Sequence, residues 1–88
     1  MNAAGMPRIL IVDDDPALRE LLAEYLSASG FVVDTAVDGS QMRRCIADAP
    51  PDAIVLDLML PGEDGLSLAR ELRQAGEVPI LMVSARGE

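Results

Sequence analysis

The stretch Val55-Leu56-Asp57-Leu58-Met59-Leu60-Pro61-Gly62 decides how the rest of the chain is read. An apolar run, Ala53 to Leu56, ends in a single carboxylate, Asp57, and a Pro-Gly pair then turns the backbone away. A short unbroken apolar run bounded by turn signals reads as a strand buried on both faces. Asp57 then sits at the carboxyl end of its strand, where open α/β sheets bind their ligands. A second run, Ile9-Leu10-Ile11-Val12, stops in the same manner at Asp13-Asp14-Asp15, and a third, Ile80-Leu81-Met82-Val83, stops at Ser84. Three strands deliver acidic or hydroxyl termini to one crevice.

Working outward from Asp57, the flanking segments alternate. Arg8 to Val12 reads as the first strand, and Pro16 falls at the first helical position, where proline is best tolerated. Leu18, Leu21, Leu22, Tyr25 and Leu26 then keep the spacing of one apolar helix face, and Gly30 ends it. Phe31 to Ala36 alternates, and Asp34 in its middle marks an edge strand. Asp38-Gly39-Ser40 is a turn in which Ser40 is placed to cap a helix with Met42, Cys45, Ile46 and Ala49 inward. Pro50-Pro51 ends that helix. After the loop Pro61 to Asp64, a third helix turns Leu68, Ala69 and Leu72 inward and stops at Gly76, and Pro79 introduces the last strand. Met42, Met59 and Met82 read as packing residues, and Arg43-Arg44 as a solvated helix face. The order βαβαβαβ with short connections predicts an α/β fold with a parallel sheet.

The totals narrow the function classes. The 88 residues are 50% hydrophobic and 25% charged, which fits one small globular domain. A net charge of −8 argues against a nucleic-acid surface and favours cations or a basic partner. The seven basic residues are all arginine and there is no histidine, so neither lysine nor imidazole chemistry is available. The single cysteine, Cys45, fits a reducing compartment. The segment before Arg8 lacks an apolar signal core and no run is long enough to span a bilayer, so a cytoplasmic location is expected, with residues 1–7 a flexible arm.

Asp13, Asp14 and Asp57 lie close together if their strands are neighbours. Carboxylates so placed repel unless a cation sits among them or one takes a proton. Hard oxygen ligands in an open crevice suit Mg²⁺, with Mn²⁺ possible. Asp57 could then act as a nucleophile toward a phosphoryl group while Ser84 donates a hydroxyl to it. Plainer readings stand beside this one. Asp13 to Asp15 could serve only to cap the helix at Pro16, Asp57 could be a solvated strand end, and Ser84 a turn residue.

ILIVDDDPALRELLAEYL, VLDLMLPGEDGLSLARELR and PILMVSARGE, in this order, resemble the signatures of the response-regulator receiver domain, OmpR/PhoB group and closest to the OmpR type. The resemblance covers Arg8 to Glu88. It implies a flavodoxin-like, doubly wound sheet with strand order 2-1-3-4. Asp57 would be the phosphoacceptor, charged by a sensor histidine kinase. Asp14 would be the direct metal ligand and Asp13 its acidic neighbour. Asp57 itself and the main-chain carbonyl of Met59 would complete the set, with Ser84 as the switch hydroxyl.

The likeness stops after the fourth strand. The fifth strand, the fourth and fifth helices, the lysine that touches the phosphoryl group and the winged-helix domain of OmpR-type regulators have no counterpart. Residues 8–88 are therefore expected to be a truncated receiver, one that takes phosphate but is switch-defective. The uncovered fourth-strand edge is expected to drive homo-oligomerisation by edge pairing or element exchange. Two other readings compete. One is a self-associating fragment with a vestigial site. The other is a phosphotransfer hydrolase, which would want a second Asp where Met59 stands.

Overall fold

A computed structural model describes residues 5–60 and 62–83 of the chain. The apolar runs become β1 (Arg8–Val12), β2 (Val32–Ala36), β3 (Ala53–Asp57) and β4 (Ile80–Val83), with α1 (Pro16–Ala28), α2 (Gly39–Asp48) and α3 (Gly65–Ala75) between them. Among the described residues the strands form one parallel sheet in the order β2-β1-β3-β4. This is the expected architecture and strand order. β1 and β3 take the central positions because their residues are apolar on both faces. β2, with Asp34 in its middle, lies at an edge. Asp34 accepts a hydrogen bond from Nη1 of Arg8 on the neighbouring strand at 2.6 Å, so the charge that marks the edge also fastens it.

Alternation along the strands divides the core. Leu10, Val12, Ala36, Ile54 and Leu56 point to one face, where Met42 of α2 and Leu68 and Leu72 of α3 meet them in a single buried cluster. Leu60, just beyond β3, joins it. Ile9 and Ile11 point the other way and are buried as well. α1 supplies nothing to the first cluster and lies against β1 and β2.

Several local expectations need correction. α2 is capped by Asp38, whose side chain accepts the N–H of Gln41 at 2.9 Å, and not by Ser40. A carboxylate at the N-cap also meets the positive end of the helix dipole, which a hydroxyl cannot do. Phe31 is not part of β2. Its N–H closes the end of α1 on the Leu26 carbonyl, so Gly30, at φ +98°, makes a tight turn directly into Val32. Met59 is not a packing residue: it is 52% exposed, on the loop after β3. The apolar face of α1 is only partly used. Leu18, Leu22 and Leu26 are half-buried one turn apart, while Leu21 and Tyr25 face solvent. Arg43 is exposed, yet its guanidinium ties α2 to both Glu63 and Glu71 at 2.8 Å.

Candidate functional site: an acidic crevice at the ends of β1 and β3

The register of the two central strands creates the site. Val12 pairs with Leu56, so the next residues along, Asp13 and Asp57, emerge side by side at the carboxyl edge. Carboxylate oxygens of Asp13, Asp14 and Asp57 all lie within 4.8 Å of one another. Asp13 and Asp57 are 1% and 2% exposed, whereas Asp14 is exposed.

Both buried carboxylates are held in the same way. Oδ1 of Asp57 accepts the N–H of Met59 at 2.9 Å, and Oδ1 of Asp13 accepts the N–H of Asp15 at 2.9 Å. An aspartate bonded to the amide two residues ahead makes a local turn that bends the chain as it leaves the sheet. Asp15 then caps α1, its Oδ1 accepting from Ala17 at 3.0 Å and Leu18 at 3.4 Å. The capping reading of the acidic triplet is thus right for its third member only. The Asp13 backbone is fixed too, by its N–H on the Ala36 carbonyl and by Nη1 of Arg19 on its own carbonyl at 2.8 Å.

The wall on the other side is glycine. A Cβ at Gly65 would meet the Leu58 Cα at 2.7 Å and the Asp57 carbonyl oxygen at 2.8 Å. The first turn of α3 can lie against the end of β3 only because that side chain is missing. The intervening loop turns at Gly62, at φ +80°.

The electrostatics call for a positive charge. Burial pushes the Asp13 carboxyl above its ordinary value; the Asp15 N–H pulls it down, and the charges of Asp57, Asp14 and Asp15 push it up again. Two unit charges 4.8 Å apart, the span of the cluster, repel by about 3 kcal/mol at an effective dielectric of about 20. Oδ2 of Asp13 is the one buried side-chain polar atom among the described residues with no hydrogen-bond partner. Such an atom is costly unless something outside the chain satisfies it. A divalent cation among three oxygens would do so and would cancel the repulsion, so the donor set fits a hard metal ion.

Ser84 and Pro61 lie outside the described residues, so the proposed hydroxyl contact is not placed. Arg19, half-buried and bonded to the Asp13 carbonyl, has no charge partner in the sequence to announce it. A basic residue in the first turns of a helix, where the dipole disfavours it, is the signal that marks it.

A parallel α/β sheet with paired carboxylates at the ends of its two central strands defines the class of the molecule. The response regulator receiver domain model matches residues 9–88, and the chain belongs to that family. Its sequence is 49% identical over 82 residues to the transcriptional regulatory protein BaeR of Escherichia coli, covering 93% of this chain and 34% of BaeR. The chain thus spans about a third of the curated relatives' length. The BeF3-activated receiver domain of Klebsiella pneumoniae RstA superposes with a TM-score of 0.83 at 37% identity, covering 89% of this chain and 67% of that one. TrrA of Thermotoga maritima, solved in complex with Mg²⁺-BeF, gives 0.82 at 37% identity over 91% of this chain and 70% of that one.

Proposed function

We propose that the chain is a phosphoacceptor module in which Asp57 takes a phosphoryl group from a sensor histidine kinase. The observation that carries this reading is the buried, partnerless Oδ2 of Asp13 beside the buried Asp57. Asp13, Asp14 and Asp57, with the main-chain carbonyl of Met59, would hold Mg²⁺, or Mn²⁺ in its place. When bound, the ion would supply charge neutralisation for the phosphoryl oxygens.

The residues of the chain do the rest. The Met59 N–H fixes one oxygen of Asp57 and so sets the direction of the carboxylate. That carboxylate attacks phosphorus, an O–P bond forms, the P–N bond to the donor imidazole breaks, and the imidazole nitrogen keeps the electron pair and takes a proton. Asp13 and Asp57 are almost fully buried, which limits the access of water to them, while Asp14 is exposed. Ser84 would donate its hydroxyl to the phosphoryl group. The position two residues after Asp57 is Met59, which cannot act as acid or base, so no turnover on an external substrate is expected. The 88 residues hold no lysine to contact the phosphoryl group, so modification of this chain should be weak.

The test is incubation with a small acyl phosphate and Mg²⁺, followed by mass spectrometry. Partial modification confined to Asp57 and lost in Asp57→Asn is expected. No modification would overturn the phosphoacceptor reading, and stoichiometric long-lived modification would overturn the role given to lysine.

A second reading rests on a separate observation. β4 lies at the sheet edge with Leu81 62% exposed, and Leu21 and Tyr25 of α1 are 62% and 68% exposed. Such a surface favours self-association by edge pairing or element exchange, with residues 8–88 acting as the folded unit. Light scattering at micromolar concentration decides it: oligomers are expected, and a well-folded monomer refutes it. No helix among the described residues is long and apolar enough to cross a membrane, and a cytoplasmic location suits a kinase partner.

A further inference from the structure

Arg19 stands where a cation is out of place. It is in the second turn of α1, close to the positive end of the helix dipole, and it is half-buried. Arg8 and Arg43 meet carboxylates, but Arg19 directs Nη1 to the main-chain carbonyl of Asp13 at 2.8 Å. That bond completes a set. The Asp13 N–H donates to the Ala36 carbonyl at 3.0 Å, its Oδ1 accepts from the Asp15 N–H at 2.9 Å, and its carbonyl accepts from Arg19. Only Oδ2 is left, buried and beside the carboxylates of Asp14 and Asp57.

We propose that Arg19 is a positioning residue for the cation site, clamping the Asp13 carbonyl so that Oδ2 is held in place before the ion arrives. This rests on the reading of the crevice as a divalent-cation site and adds a residue to it. Clamp and charge act in opposite directions, which makes the idea testable by sign. Through space, a guanidinium this near the crevice repels a divalent ion, so its removal should tighten binding if charge were its whole effect. A clamp predicts the reverse, because outer partners that orient a ligand are worth about tenfold or more in metal affinity.

The experiment is calorimetric titration of the 88-residue chain with Mg²⁺ for wild type, Arg19→Met, Arg19→Gln and Arg19→Lys. Amide hydrogen exchange at Asp15 in metal-free protein accompanies it. Both neutral variants should bind Mg²⁺ about tenfold more weakly, and the Asp15 amide should exchange faster in them even without metal. Arg19→Lys, which keeps a donor on a long stem, should recover most of the affinity. Arg19→Gln carries the test if Arg19→Met does not fold. Neutral variants that bind as tightly as wild type, or tighter, with Asp15 still protected, would overturn the proposal. If the wild type binds no Mg²⁺, the cation reading fails, and exchange at Asp15 still judges the clamp.

Discussion

On the face of the sheet covered by α2 and α3, Leu10, Val12, Ile54, Leu56, Leu68 and Leu72 are at most 6% exposed, whereas on the α1 side Leu21, Tyr25 and Leu81 are each more than 60% exposed. The two faces are built from equally apolar strand residues, and the register sets them back to back: Leu56 pairs with Met82, and Val55 pairs with Leu81. What differs is the cover. Among the described residues, two helices lie over the first face, and one helix, set over β1 and β2, leaves β3 and β4 open on the second. Strand apolarity therefore reports that a face seeks burial, not that the described elements supply it. The acidic crevice lies at the end of the better covered half, where Gly65 lets α3 close against Asp57.

The sharpest way to break this contrast is truncation on the covered face. Leu56→Ala should cost about 2–5 kcal/mol, a large share of the roughly 5–15 kcal/mol available to a whole domain. Urea unfolding should show a cooperative transition moved far toward zero denaturant or lost. Gly65→Ala comes next. Its new Cβ strikes backbone and not a flexible side-chain tip, so about 1–3 kcal/mol should be lost. The Asp57 and Leu58 amide resonances should move with it. Leu81→Ala and Leu21→Ala on the open face should lie within about 0.5 kcal/mol of wild type in the monomer. If Leu81→Ala proved as damaging as Leu56→Ala, another chain would be covering that face.

Acid titration sharpens the comparison at the crevice. The Asp13 carboxyl is raised in the folded chain, chiefly by burial. The folded state therefore holds that proton more tightly than the unfolded state, and the stability it contributes is full below the ordinary carboxyl value of 3.8. That contribution is lost as pH rises through the elevated folded value. Glu71 works in the opposite sense, because its hydrogen bonds to Arg43 hold it below its ordinary value and favour the fold above 4.5. Asp13→Asn should remove the first effect and leave the second. Thermal melts between pH 3 and pH 7 in the absence of metal would register the change.

Much of this was legible from residues alone. The strand ends at Asp13 and Asp57, the edge position of β2 and the meeting of Asp13, Asp14 and Asp57 follow from two apolar runs that stop at carboxylates, because strand periodicity and parallel topology leave few alternatives. The errors have physical causes. Helical spacing could not say that Leu21 and Tyr25 would find nothing above them, since cover is a property of neighbouring elements. Ser40 and Asp38 are both good caps, and local dihedral geometry chooses between them. Met59 sits in a loop whose path is set by the Asp57 carboxylate gripping its amide, a bond that composition cannot reveal. Arg19 escaped notice because its partner is a backbone carbonyl, which leaves no complementary charge in the sequence.

The proposed site stands on one ion among three carboxylates. The most direct measurement is the melting temperature at pH 7, with Mg²⁺ and with chelator, for wild type and Asp13→Asn. Wild type should gain stability from Mg²⁺. Asp13→Asn should melt above wild type in chelator, since the buried repulsion is gone, and should respond little to the ion. Equal Mg²⁺ stabilisation of both proteins, or none of wild type, would contradict it.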